Sequence, residues 1–114
     1  MTTNLFTTQE KVAISNVLIV LMNADNEISS GEILYLAQLK LVLGLSDDIL
    51  NQAKQQDFME SLIAIKKMSI LQKKTLTTMM FEMANADSHV CDNELKIMIV
   101  IAKICELPIA QLLN

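Results

Sequence analysis

Apolar residues recur at helical spacing along the chain, in runs separated by short polar segments that contain helix-capping residues. We expect Thr8 to cap a first helix that continues through Ala24. The segment Ser29–Glu32, Ser-Ser-Gly-Glu, has the pattern of a capping box and predicts the start of a second helix. That helix is predicted to run to Leu43, because Gly44 provides the left-handed residue that commonly follows a helix.

The rest of the chain predicts five further helices. A short third helix follows Ser46, and capping boxes at residues 57–60 and 69–72 open the fourth and fifth. The sixth begins near residues 91–92. Pro108 is suited to the first position of a seventh helix, where its missing N–H costs nothing.

An internal repeat covers most of the chain. A shift of 62 residues lays Asn23-Ala24-Asp25 on Asn85-Ala86-Asp87 without a gap. The same shift matches five further positions: Lys11 with Lys73, Ile28 with Val90, Glu32 with Glu94, Leu45 with Leu107, and Leu50 with Leu112. Because one short helical unit cannot bury its apolar face alone, the repeat predicts two copies that pack together.

The repeat also indicates that one ambiguous segment is helical, and this determines the predicted fold class. Residues 97–101, Ile-Met-Ile-Val-Ile, have the composition of a buried strand but align with residues 35–39, which have a helical pattern. We therefore predict an all-α fold, with a single domain over residues 1–114. The domain is expected to be a compact bundle of about seven helices. These form two pseudo-symmetric three-helix units, at about residues 9–52 and 71–114, joined by a linking helix at 57–68.

The core is expected to be aliphatic and rich in methionine, because 52% of the residues are hydrophobic and only 4% are aromatic. The first and sixth predicted helices are apolar on nearly every side, which is typical of buried central helices. We expect the buried positions to include residues of these and neighbouring helices, namely Ile14, Leu18, Leu36, Leu76, Met98 and Val100.

Composition and charge exclude several classes of function. The formal net charge is −4, and an acidic chain without a basic stripe is poorly suited to binding nucleic acid. No apolar stretch approaches the length needed for a membrane span, and the first residues lack the pattern of a secretory signal. We therefore expect a cytoplasmic protein without direct membrane insertion. Cys91 and Cys105, about 21 Å apart along one predicted helix, are expected to be reduced.

Each copy of the repeat carries an acidic motif in which a glutamate follows an aspartate by seven residues. The first pair is Asp25 and Glu32, and the second is Asp87 and Glu94. This spacing matches the second half of a calcium-binding EF-hand loop, but the first half does not match. Two interpretations remain open: the four carboxylates serve as helix caps and turn residues, or they converge on a cation. All-oxygen ligands would favour Ca²⁺ or Mg²⁺.

His89 and Cys91 lie in the second acidic turn and add two weaker alternatives. Together with the carboxylates they offer the softer ligands that Zn²⁺ prefers. Alternatively, Cys91 near a helix N-terminus is a candidate nucleophile with His89 as its base. No orienting group or oxyanion-binding feature accompanies this pair in the sequence.

The repeated motif resembles the TerB family of small tellurite-resistance proteins, whose helical domain is similar to a region found beside membrane-anchored DnaJ-like co-chaperones. The resemblance covers about residues 8–114 and rests on Asn23-Ala24-Asp25, Ile28-Ser29, Glu32 and Leu43-Gly44-Leu45-Ser46. The chain departs from the family pattern at Asn26, Ser88 and Cys91. The resemblance implies an all-helical fold, a cytoplasmic role linked to stress, and acidic residues proposed to hold a metal ion.

Three hypotheses for the function follow. The first is a non-enzymatic TerB-like helical module that binds an unidentified protein partner, with a divalent cation as a candidate requirement. The second is a small enzyme that uses the acidic turns or Cys91. The third is a purely scaffolding homo-oligomer, suggested by the high apolar content.

Overall fold

A computed structural model of the chain describes residues 5–23, 30–85 and 92–108, with the side chains of residues 30, 84 and 92–94 outside the description. These residues form six helices and no strand: α1 (Thr8–Met22), α2 (Ser30–Leu43), α3 (Asp47–Gln55), α4 (Phe58–Lys66), α5 (Ile70–Ala84) and α6 (Asp92–Cys105). The all-α prediction is confirmed, and residues 97–101 are helical. The described part therefore contains six helices rather than about seven. The predicted seventh would extend from Pro108 into residues 109–114, outside the described residues.

The start of α1 corrects one predicted cap. Thr7, not Thr8, is the N-cap: its hydroxyl accepts a hydrogen bond from the Glu10 amide at 3.1 Å, and its own amide donates to the Glu10 carboxylate at 2.8 Å. The reason is the spacing of a capping box, which needs a glutamate three residues after the cap. Thr7 has Glu10 at that distance, whereas Thr8 has Lys11.

The caps of the later helices were predicted with mixed success. Ser69 and Gln72 form a complete capping box on α5, and the Ser46 hydroxyl accepts from the Ile49 amide at 3.2 Å. Asp57 precedes α4 as predicted, but its side chain makes no capping hydrogen bond, so the box with Glu60 is wrong. The ψ angle of Asp57 is 129°, against 164° to 168° at the three working caps. The backbone at Asp57 thus departs from the conformation of the three side chains that do cap their helices.

The ends of α2 and α6 are closed in the same way, 62 residues apart. Gly44 follows α2 with a φ of 68°, and Glu106 follows α6 with a φ of 58°. In each case the amide of the following residue donates a hydrogen bond to a carbonyl of the helix. Leu45 N donates to Lys40 O, and Leu107 N donates to Ala102 O, both at 2.9 Å. The left-handed residue lets the chain turn and satisfy a carbonyl at the helix end.

Helix α1 lies at the centre of the described structure and contacts α3, α4, α5 and α6. Most of its apolar side chains are buried, including Ile14 and Leu18, because neighbouring helices cover most of its surface. Asn16 is also buried; its side-chain amide donates to the Ala53 carbonyl at 2.8 Å and so ties α1 to the end of α3.

The core differs from the sequence prediction on α2 and α6. Leu76 and Met98 are fully buried as predicted, but Leu36 is only partly buried and Val100 is 50% exposed. Helix α6 packs on α4, α1 and α5, which leaves one side of it open to solvent. None of the described helices is long and apolar enough to cross a membrane.

Candidate functional site

The predicted carboxylate site falls largely outside the described residues. Asp25 and Asp87 lie in segments that the structure does not describe, as do His89 and Cys91. Within residues 5–23, 30–85 and 92–108, no three histidine, cysteine, aspartate or glutamate side chains form a cluster suited to a metal ion. The predicted convergence of the two acidic turns therefore stays a prediction.

Glu32 is the one member of that set whose side chain is described. It is 3% exposed and lies in the first turn of α2, where the positive end of the helix dipole favours a carboxylate. Glu94 occupies the equivalent turn of α6, but its side chain is outside the description. Burial of Glu32 at a helix start is compatible with a capping role and with a ligand role, so both interpretations remain open.

Cys105 is buried in the core at the end of α6. Its thiol lies 3.4 Å from the Leu62 carbonyl oxygen on α4, to which it donates a hydrogen bond. Burial raises the pKa of Cys105 to about 11, and the positive charges of Lys73 and Lys66 only partly oppose that effect. A thiol that is buried and protonated near neutral pH is a poor nucleophile. Cys105 is therefore a packing residue that holds α6 against α4.

Sequence reasoning missed a concave surface between α2 and α5, which we call the α2–α5 groove. Its volume is about 410 Å³. Residues of α2 form one wall: Tyr35, Gln38, Leu39, Val42 and Leu43. Residues of α5 form the other: Thr75, Thr78, Met79 and Glu82. The lining combines the aliphatic side chains of Leu39, Val42, Leu43 and Met79 with polar groups of Tyr35, Gln38, Thr75, Thr78 and Glu82, and a mixture of apolar and polar groups is usual in a binding groove.

One hydrogen bond joins the two walls at the end of the α2–α5 groove nearest the start of α2. The Tyr35 hydroxyl donates to the Glu82 carboxylate at 2.7 Å. Partial burial of the phenol, this hydrogen bond and the negative charge of Glu82 together raise the pKa of Tyr35 well above its usual value. Tyr35 therefore stays protonated and remains a hydrogen-bond donor at any physiological pH. The contact fixes one end of the groove while leaving the Glu82 carboxylate exposed.

The outward side of α2 continues this apolar surface into solvent. Leu34 is 62% exposed and Leu41 is 84% exposed, and these residues lie seven positions apart on one face of the helix. Val42, which lines the α2–α5 groove, is 49% exposed. Contiguous exposed aliphatic side chains on a folded protein commonly mark a surface that binds another molecule. We call Leu34, Leu41 and Val42 the α2 apolar face.

A sequence signal for this face was present. Helix α2 has the sequence SGEILYLAQLKLVL, in which apolar residues occupy nearly every side. A helix of that pattern is normally buried all round. Here only one side of α2 packs on α5, so the excess of apolar residues beyond one face was the available clue.

Comparisons with known proteins show the fold alone. No family model matches the chain, and no curated protein matches it at a significant level. Among solved structures, the chain is similar to a protein of unknown function from Porphyromonas gingivalis W83. The two share 24% sequence identity with a TM-score of 0.78, over 90% of this chain and 88% of that one. The helical arrangement described above is thus one that a solved protein also adopts.

Proposed function

We propose that this protein is a non-enzymatic helical interaction module that binds a protein partner through the α2–α5 groove and the α2 apolar face. The observation that carries the proposal is the exposure of Leu34 and Leu41 beside an apolar groove. Removing apolar surface from water contributes about 25 cal/mol per Å². The exposed side chains of Leu34, Leu41 and Val42 therefore offer binding energy that the folded chain leaves unused.

The internal repeat extends this proposal to the architecture. We infer that the units at residues 9–52 and 71–114 are related by a pseudo-twofold axis. In support, α1 and α5 each span 15 residues, and α2 and α6 each span 14, with every boundary shifted by 62. Helices α1 and α5 both open with a capping box. Helix α2 contacts α5, and its counterpart α6 contacts α1. Reciprocal contacts of this kind are what a twofold axis requires.

As a secondary part of the proposal, we propose a TerB-like protein with a cytoplasmic role in the stress response. The acidic turns at Asp25 and Asp87 would then provide a second surface, either for a divalent cation or for a basic partner. The proposed interaction through α2 does not depend on that ion. The two surfaces can therefore be tested separately.

Site-specific cross-linking tests the interaction surface. A photoreactive benzophenone amino acid replaces Leu41 in one variant and Lys103 in another, because Lys103 is also exposed and occupies the equivalent position of α6. We expect a discrete protein adduct from position 41 in the source cells and none from position 103. The same adducts from both positions, or none from position 41, would contradict the proposal.

The cross-linked protein is then identified by mass spectrometry, purified and titrated against surface variants. Leu34→Lys should weaken binding by at least about tenfold, equivalent to about 1.4 kcal/mol. Leu71→Lys is the matched control, because Leu71 is 63% exposed and lies on α5, outside the residues that line the groove. The control should bind like the unchanged protein. Equal loss in both variants would mean that the α2 apolar face is not the binding surface.

A further inference from the structure

We propose that the partner of the α2 apolar face is a second copy of this chain, in a dimer whose two α2 helices lie antiparallel and cross at Ala37. Leu41 of each copy packs against Ile33 and Leu34 of the other copy. This inference rests on the proposed function and names the partner that the same surface binds.

Aliphatic side chains form a stripe along the outward side of α2. Ile33 is 56% exposed and directly precedes Leu34, and Ala37 is exposed one turn further along the helix. Leu41 follows Ala37 by four residues, so these side chains share one face of α2. Leu39 is buried on the opposite side. Side chains three and four positions apart form the ridges on which a second helix packs.

This stripe is complementary to itself about a twofold axis. Ala37 lies four residues after Ile33 and four residues before Leu41. An antiparallel copy centred on Ala37 therefore places each Leu41 opposite the Ile33 of the other copy, as an isologous interface requires. The distance between two packed helices depends on the side chains at the contact, so the methyl group of Ala37 lets the helices approach closely.

The charges of α2 favour a second copy over a strongly charged partner. Among residues 33–43 only Lys40 is charged, and its ammonium lies 2.9 Å from the Asp47 carboxylate of its own chain. The stripe therefore has no unpaired charge with which to attract an acidic or a basic partner. Two copies meet there without like charges at the centre, and the centre of a protein interface is normally depleted of charge.

The exposed area is also of the size that a dimer needs. At about 30 Å² for each side-chain carbon, Ile33, Leu34, Leu41 and Val42 together expose about 300 Å² of aliphatic surface. A standard interface covers about 800 Å² on each partner, and a little over half of that area is apolar. One helix therefore supplies about two-thirds of the apolar area that each copy contributes to an ordinary interface.

Sedimentation velocity tests the dimer directly, over concentrations from about 5 μM to about 500 μM. The unchanged protein should pass from monomer toward dimer across this range. A monomer at every concentration would overturn the proposal. Added salt should tighten the dimer, because it screens the repulsion between two chains that each carry a formal charge of −4. A dimer that salt weakens would be held by opposite charges, which contradicts an uncharged interface.

Two exposed aliphatic residues provide the matched variants. Leu34 is 62% exposed on α2, and Ile63 is 51% exposed on α4, which packs against α1 and α6. Leu34→Lys should raise the dimer dissociation constant at least about tenfold, and Ile63→Lys should leave it unchanged within about twofold. Equal effects would place the interface elsewhere and overturn the proposal. Circular dichroism verifies that both variants are folded.

Disulfide trapping tests the antiparallel arrangement, in a Cys91→Ser background in which Cys105 is buried. Ala37→Cys should form a disulfide-linked dimer on mild oxidation, because the twofold axis brings position 37 of both copies together. Linear dimers of the unlinked background protein under the same conditions would show that the linkage does not report the crossing point, and absence of the Ala37→Cys dimer would overturn it.

The direction of the two helices has a separate readout. Ile33→Cys and Leu41→Cys proteins, when mixed, should link to each other at least about fivefold faster than either links to itself. In the antiparallel dimer the two copies of position 33 lie about 12 Å apart along the helix axis, which is beyond the reach of a disulfide. Self-linkage that is as fast as the mixed reaction would overturn the antiparallel arrangement.

The adduct from position 41 in the source cells separates this inference from the proposed function. An adduct of twice the chain mass that contains only this protein supports the dimer. A different protein in the adduct, together with a monomeric purified chain, would overturn the second copy and leave the proposed function standing. A monomeric chain with no adduct from position 41 would overturn both.

Discussion

At the scale of single residues, burial governs the behaviour of Cys105. Its pKa is raised to about 11 from an ordinary value of 9.0, so the folded protein resists loss of the thiol proton more than the unfolded chain does. A raised pKa means that the associated stability is present below about pH 9 and is lost as the pH rises toward about 11. The stability linked to this thiol therefore falls only in alkaline solution.

The corresponding prediction compares urea unfolding at about pH 8 and about pH 10. The unchanged protein should lose more stability over this interval than a Cys105→Ala variant, by about 1 kcal/mol, because the variant lacks the titrating thiol. Lysine titration affects both proteins and cancels in the comparison. Equal losses would show that Cys105 ionises as easily in the folded protein as in the unfolded chain.

Gly44 and Glu106 provide a second prediction at this scale, because both adopt left-handed backbone conformations that favour glycine. Glu106→Gly should stabilise the protein by up to about 1 kcal/mol, since only the glutamate has a Cβ that strains this conformation. Gly44→Ala should destabilise it by a similar amount, although the new Cβ would lie 3.6 Å from the Lys11 Nζ, in ordinary contact. Thermal unfolding measures both. Shifts of the same sign would contradict the explanation from backbone strain.

At the scale of the helices, Ser69 and Asp57 both begin a capping-box pattern in the sequence, but only the Ser69 side chain caps its helix. Ser69→Ala should cost about 1 kcal/mol, because the Ser69 hydroxyl accepts a hydrogen bond from the Gln72 amide at 3.1 Å. Asp57→Ala should cost less than half as much, since the Asp57 carboxylate caps nothing. Denaturant unfolding of the two variants gives the comparison. A loss at Asp57 equal to that at Ser69 would mean that both side chains cap their helices in solution.

The helices were largely predictable because their boundaries depend on local chemistry. Ser46, Ser69 and Gly44 act through atoms only a few residues away, so their sequence patterns were sufficient. The exposure of Val100 and of the α2 apolar face was not predictable in the same way. Periodicity identifies apolar residues, but only the packed structure decides which of them a neighbouring helix covers.

At the scale of the whole molecule, one part of the candidate site could be predicted from the sequence and the other could not. The α2–α5 groove brings together residues such as Tyr35 and Glu82, which are 47 positions apart, and no local motif connects them. The acidic turns were recognised because their residues are close in sequence and repeated. Whether the two turns meet depends on packing, so that convergence is still a prediction.

An ion titration tests the acidic turns. A cation that binds only the folded state should raise the melting temperature, with a stability gain of about 2.7 kcal/mol at a hundredfold excess over its dissociation constant. Calcium, magnesium and zinc are titrated separately against the unchanged protein and against Asp25→Asn/Asp87→Asn. We expect one ion to stabilise the unchanged protein and to have a much smaller effect on the variant.

The control for this titration is a monovalent salt at matched ionic strength. If none of the three ions exceeds the control, the four carboxylates are caps and turn residues. The acidic surface would then remain a candidate site for a basic partner.

The central position of α1 has a consequence for the synthesis of this protein on the ribosome. Among the described helices translation produces α1 first, yet α3, α4, α5 and α6, which contact it, emerge from the ribosome later. Until α3 and α4 are made, a helix that is apolar on nearly every side lacks the neighbours that pack against it most extensively. Exposed apolar segments of this kind are prone to aggregation and are typical binding sites for chaperones. The nascent chain therefore exposes the apolar surface of α1 until α3 and α4 have left the exit tunnel, and the packing described above is complete only after residue 105 has followed them.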